Sequence, residues 1–163
     1  MKKDVVLLVY GEGGHKAQMK RLYNLMLKAN QSKDLLYIGV CENSNTINEL
    51  YENYTLTPLR DKHNNIRTIF KLPKNILDNI KLLFSLKKKY NVVSVISTGP
   101  GISILISLFF KTLGKKIIFI ETWSRFETQS MTGKVMYKIA DKFYIQNKSL
   151  QKYYPKAIYG GLL

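Results

Sequence analysis

His15 stands directly behind Gly11-Glu12-Gly13-Gly14, and those glycines end the apolar run Val5-Val6-Leu7-Leu8-Val9-Tyr10. An imidazole at such a place can cap a helix, hydrogen-bond a substrate hydroxyl or take a proton, since histidine titrates close to neutrality. Gly13 and Gly14 carry no Cβ, so the backbone there is free to adopt positive φ and to lie close against a ligand. The residues that follow, from Lys16 to Lys28, place Ala17, Met19, Leu22, Leu25 and Met26 at helical spacing. A helix starting behind the glycines offers unpaired N–H groups and a partial positive charge, which suit a phosphate or diphosphate. Two further turns have chemistry-bearing residues in the same relation to an apolar run. Thr98-Gly99-Pro100-Gly101 follows Val92–Ser97, and Glu121-Thr122-Trp123-Ser124-Arg125 follows Ile117–Ile120.

Some chemistries are excluded. The dinucleotide fingerprint G-x-G-x-x-G fails because Lys16 stands where the third glycine belongs, and the sequence has no G-x-x-x-x-G-K-[ST]. One cysteine, Cys41, rules out an internal disulfide and a cysteine zinc site and suits a reducing compartment. With His15 and His63 as the only histidines, no metal site is expected. The 26 Lys+Arg against 11 Asp+Glu give a net charge of +15, which points to an anionic partner or to a solvated lysine surface. The lysines are spread along the chain without a basic-aromatic motif, so nucleic acid is not the expected partner. No apolar stretch approaches the roughly 20 residues of a spanning helix, and the run after Met1-Lys2-Lys3-Asp4 is too short for a secretion signal.

The elements that must position these turns read in order. Strands are expected at 5–10, 35–40, 54–59, 92–97, 117–120 and 142–146, with Pro58 placing the third at an edge. Helices are expected at 16–28, over a short segment carrying Ile47 and Leu50, at 73–90 with Pro73 in the first turn, from 102 to a cap at Gly114, and at 132–140. His63 falls in a polar loop. Alternation of strand and helix predicts an α/β fold, a doubly wound parallel sheet in one domain over 1–163. The three turns would then meet at one edge of the sheet.

Several motifs together resemble a known family. They are Gly13-Gly14-His15, Ser97-Thr98-Gly99-Pro100-Gly101, Glu121-Thr122-Trp123-Ser124-Arg125, Met131-Thr132-Gly133-Lys134-Val135-Met136-Tyr137 with Ala140-Asp141-Lys142-Phe143, and Tyr153-Tyr154-Pro155 leading to Tyr159-Gly160-Gly161-Leu162. In this order they resemble the PssD/EpsE-type polysaccharide-biosynthesis proteins, relatives of the membrane-recruiting subunit of the lipid-linked GlcNAc transferase. The resemblance implies a Rossmann-like domain equivalent to the N-terminal half of a MurG-like GT-B glycosyltransferase. It implies an acceptor-binding subunit of a two-component enzyme that moves a sugar from a UDP-sugar to a polyprenyl-diphosphate-linked sugar in capsule or exopolysaccharide synthesis, or alternatively an anchor that only recruits its partner.

On that reading the UDP-sugar sits on a separate PssE-like catalytic subunit, and no tightly bound cofactor is expected here. Gly11, Gly13, Gly14, Thr98, Gly99 and Gly101 would hold the acceptor diphosphate. Trp123 and Arg125 would shape the sugar site or the partner interface. His15 or Glu121 would serve as base, unless His15 is a packed cap and Glu121 a structural partner of Arg125. Because the chain starts at its first strand, attachment to the inner face of the cell membrane would rest on contacts with an anionic surface. Basic residues from Arg67 and Lys71 to Lys89 would supply them, and the apolar helix Ile102–Phe110 would add apolar contact with the bilayer or the partner.

Overall fold

The structure, a computed structural model, describes residues 2–29, 35–42, 46–58 and 65–163, the last range with side chains from residue 72 on. Its strands are β1 (Asp4–Tyr10), β2 (Leu36–Glu42), β3 (Glu52–Leu56), β4 (Asn91–Ser97), β5 (Lys116–Ile120), β6 (Lys142–Ile145) and β7 (Ile158–Tyr159). Its helices are α1 (Gly14–Ala29), α2 (Asn65–Lys89), α3 (Ser103–Thr112) and α4 (Met131–Ile139). The strands form one parallel sheet in the order β3-β2-β1-β4-β5-β6-β7. The alternation of elements thus builds the expected doubly wound α/β fold.

Six of the seven residues of β1 are buried, because both faces of this central strand are covered. Val5, Leu7 and Val9 face the side roofed by α2, α3 and α4, where Leu83, Ile106, Phe110 and Met136 close the larger core. Val6, Leu8 and Tyr10 face the other side, against Met19 and Tyr23 of α1. On that side an apolar cavity of about 300 Å³ opens between Leu22 and Met26 of α1 and Ile118 and Tyr144 of the sheet.

Four expectations are corrected. The segment carrying Ile47 and Leu50 is a turn instead of a helix; both side chains are buried plugs of the α1-side core, and the Ile47 N–H donates to the Tyr10 hydroxyl. The third strand begins at Glu52 instead of Tyr54, since Glu52 is held by Lys89, Tyr54 and Tyr90 at the end of α2. Pro73 lies inside α2 instead of starting it, and the 25-residue helix gives up one backbone hydrogen bond to contain it. A strand beyond 142–146 also exists: β7, only two residues long, pairs with β6 at the sheet edge. His63 lies outside the described residues, and Arg67 and Lys71 lie where only the backbone of α2 is described.

Candidate functional site

The strand order reverses between β1 and β4, the place where an open α/β sheet leaves a crevice outside its carboxyl ends. The turns after these two strands are Gly11–Gly14 and Thr98–Gly101, so two of the expected turns face each other at that crevice. Gly13 sits at φ +58, and its carbonyl accepts the first helical hydrogen bond of α1 from Ala17 N–H at 3.0 Å. Gly13 and Gly14 are exposed, leaving the start of α1 open to a ligand.

His15 bridges the crevice. Its Nδ1 lies 2.6 Å from the Thr98 carbonyl oxygen, and the Thr98 hydroxyl donates back to the His15 carbonyl at 3.0 Å. Gly99 takes φ +118; a Cβ built there would lie 2.9 Å from His15 Cε1. The close approach of turn to ring therefore requires glycine. Gly101 precedes α3, where the Ser103 hydroxyl donates to the Pro100 carbonyl at 2.6 Å.

The third turn reaches the same crevice through Trp123. Its Nε1 would be 3.7 Å from a Cβ on Gly14, and the Arg21 guanidinium lies 4.9 Å from its ring centroid. Asn147 donates to the Trp123 carbonyl at 2.8 Å and fixes the loop from below. Arg125 is exposed and donates to Thr128 Oγ1 at 3.0 Å.

Glu121 is 1% exposed. Its Oε2 accepts from the Tyr154 hydroxyl at 2.8 Å and from Ser130 Oγ at 3.0 Å, and its Oε1 accepts from Thr122 N–H at 3.0 Å. Ser130 caps α4, its Oγ accepting from Gly133 N–H at 2.7 Å. Glu121 is thus enclosed by its partners, and those partners are Tyr154 and Ser130, not Arg125. Burial and the adjacent carboxylate push the Tyr154 hydroxyl well above its ordinary pKa, so it remains a donor. The structure brings Gly11, Gly13, Gly14, His15, Thr98, Gly99 and Trp123 together; Glu121 lies beneath them and Arg125 at their rim.

Sequence reasoning missed Ser130, Gln146 and Tyr154, which build the floor. The Gln146 side chain donates to the Glu121 carbonyl at 2.9 Å, joined at 3.4 Å by Gln18 from α1. Two signals were available: the motif Tyr153-Tyr154-Pro155, to which the sequence alone attaches no role, and Gln18, a polar residue within the buried stripe of an apolar helix face.

A protein-family model described as "Oligosaccharide biosynthesis protein Alg14 like" matches residues 6–163. The UDP-N-acetylglucosamine transferase subunit ALG14 of Homo sapiens is 28% identical over 179 residues, which cover 96% of this chain and 81% of that protein. The protein of the same name from Kluyveromyces lactis is 26% identical over 192 residues, covering all of this chain and 80% of the relative. Among solved structures, a UDP-N-acetylglucosamine 2-epimerase superposes with TM-score 0.65 at 15% identity, over 95% of this chain and 45% of the other. MurG of Acinetobacter baumannii gives 0.59 at 14% identity, over 88% and 41%. The chain spans less than half the length of these two structures, whose likeness bears on the fold: it is that of the Rossmann-like N-terminal half of GT-B proteins.

Proposed function

Because this chain belongs to the Alg14-like family of oligosaccharide biosynthesis proteins, we propose that it is the acceptor-binding, membrane-peripheral subunit of a two-component glycosyltransferase. The observation that carries the reading is the convergence of His15, the exposed start of α1 and Trp123 on one crevice at the switch point. The acceptor is a polyprenyl-diphosphate-linked sugar, its diphosphate held by N–H groups of the Gly11–Gly14 turn and the start of α1, since the Thr98 and Gly99 N–H groups already donate to the Val9 carbonyl and Ser97 Oγ. The donor is a UDP-sugar on a separate transferase subunit, with UDP-N-acetylglucosamine, named in its relatives, as the first to try. The apolar cavity beside α1 leaves a surface for that subunit. Polysaccharide export at the cell surface, as capsule or exopolysaccharide, is the physiological setting.

His15 is the base. The acceptor hydroxyl gives its proton to Nε2 as its oxygen bonds to the anomeric carbon of the donor, and the nucleotide leaves with the bonding pair. Glu121, saturated by Tyr154, Ser130 and Thr122, holds the Trp123 loop in place and takes no part in proton transfer.

The membrane face is the outer side of the helix layer. Among the described residues no helix is long and apolar enough to cross a membrane. Leu77 and Phe84 of α2 and Leu108 of α3 are about half exposed, at 53%, 56% and 45%. Lys74, Lys81 and Lys88 alternate with them along α2, and the Phe84 ring meets Phe109 of α3 at 5.1 Å. An apolar strip edged by lysines suits the headgroup layer of an anionic bilayer.

The test is sugar transfer from UDP-N-acetylglucosamine to a polyprenyl-diphosphate-linked sugar by the partner subunit, with and without this chain. Transfer that needs the chain and drops at least 100-fold with His15→Ala supports the reading. Transfer that needs the chain and survives His15→Ala makes it an anchor; transfer without the chain overturns the assignment.

A further inference from the structure

Resting on the reading of His15 as the base, we propose that Thr98 is its positioning residue, fixing which imidazole nitrogen carries the proton. The Thr98 carbonyl oxygen has lone pairs and no hydrogen. Its contact of 2.6 Å with Nδ1 therefore puts the hydrogen on Nδ1. In the neutral ring Nε2 is then the unprotonated nitrogen, and it takes no hydrogen bond from the described residues. A histidine without such a partner populates both tautomers, and only one of them presents a lone pair at Nε2.

The Thr98 hydroxyl completes the clasp by donating to the His15 carbonyl at 3.0 Å, which ties the first turn of α1 to the turn that orients the ring. Gly99 leaves room for the imidazole, since a Cβ there would stand 3.2 Å from Nδ1 as well as 2.9 Å from Cε1. Both halves of the clasp join residues 83 positions apart, so it exists only in the folded sheet. Residues Ser97 to Gly101 include no titratable side chain, and the charged neighbours of His15 on its own segment are Glu12 and Lys16. The ring is oriented by a neutral carbonyl dipole, which sets the tautomer.

Two-bond ¹H–¹⁵N spectra of the histidine-labelled chain, recorded alone at a pH where the ring is neutral, read the tautomer directly; a His63→Gln variant assigns the signals. The expected pattern for His15 is a protonated Nδ1 and an unprotonated Nε2. An Nε2–H tautomer, or an even mixture, overturns the proposal. In the transfer assay, Thr98→Val, which keeps the carbonyl and removes only the hydroxyl's bond to the His15 carbonyl, is expected to lower kcat by about 5- to 10-fold through a looser ring position, and Thr98→Ser to restore it. A change confined to KM, or a loss that Ser does not restore, overturns the hydroxyl's share in positioning the ring. The spectra decide the clasp whatever the transfer assay says of His15, so failure here and failure of the base assignment are separate results.

Discussion

The Tyr154 hydroxyl donates to Glu121 Oε2 across 2.8 Å, and both side chains are almost wholly shut from solvent. A buried carboxylate is stable only while its oxygens are hydrogen-bonded, and Tyr154 reaches it from beyond β6 to supply one of those bonds. Removing the hydroxyl leaves the ring packing intact and takes away one donor. Tyr154→Phe should therefore cost about 1.5–3 kcal/mol, the range for a hydrogen bond to a charged group. Urea unfolding followed by circular dichroism measures it; an unchanged midpoint would show that Glu121 does not depend on Tyr154.

Gly133 sits where α4 crosses the same carboxylate. A Cβ there would run into Glu121 Oε2 and lie 2.6 Å from the Tyr154 hydroxyl and 2.7 Å from Ser130 Oγ. None of these atoms is the free end of a flexible chain. Gly133→Ala is expected to destabilise by about 1–3 kcal/mol despite the better helix propensity of alanine. Thermal melts of the two proteins at one concentration would reveal it, and a raised Tm would contradict it.

At the opposite edge, Glu52 is pulled down to a pKa of about 2 by the Lys89 ammonium first, then by the Tyr54 and Tyr90 hydroxyls. A depressed carboxylate contributes stability above its unfolded value of about 4.5 and loses it as pH falls from there through 2. The pair is largely open to water, so solvent screening keeps its contribution small. Stability curves of the chain and of Glu52→Gln should converge between pH 4.5 and 2; parallel curves would rule the clamp out.

Lys74 and Lys88 flank the exposed Leu77 and Phe84 on α2. Each lysine near an anionic surface is worth about 1 kcal/mol, so the double change Lys74→Gln/Lys88→Gln should weaken binding to phosphatidylserine-containing vesicles about 30-fold. Neutral vesicles should not distinguish the two proteins. Flotation assays give both numbers, and equal binding of the variant to anionic vesicles would reject this face.

The strands were legible because burial on both sides of β1 and β4 leaves nearly unbroken apolar runs, and glycines mark where each run ends. Alternation then fixed the sheet and brought His15 opposite Thr98, though nothing local in either segment announces a contact over 83 positions. The turn at Ile47 and Leu50 was misread because an i, i+3 apolar pair serves a short helix and a core-plugging turn equally well. β7 is two residues long and has no periodicity to detect. Glu121 and Arg125 are four apart, a spacing that pairs charges on a helix but not on the loop they occupy, where Arg125 turns to Thr128. The roles of Tyr154 and Ser130 became visible only once folding had closed the distance to Glu121.

Because β1 lies between β2 and β4, it leaves the ribosome long before its second neighbour. Val5 pairs with Val92, so at a synthesis rate of about 5–20 residues per second the partner emerges roughly 5–20 s later. Throughout that interval one hydrogen-bonding edge of the most apolar strand has no mate. A codon change that slows translation between β2 and β4 therefore lengthens the exposure of that edge without altering a single residue.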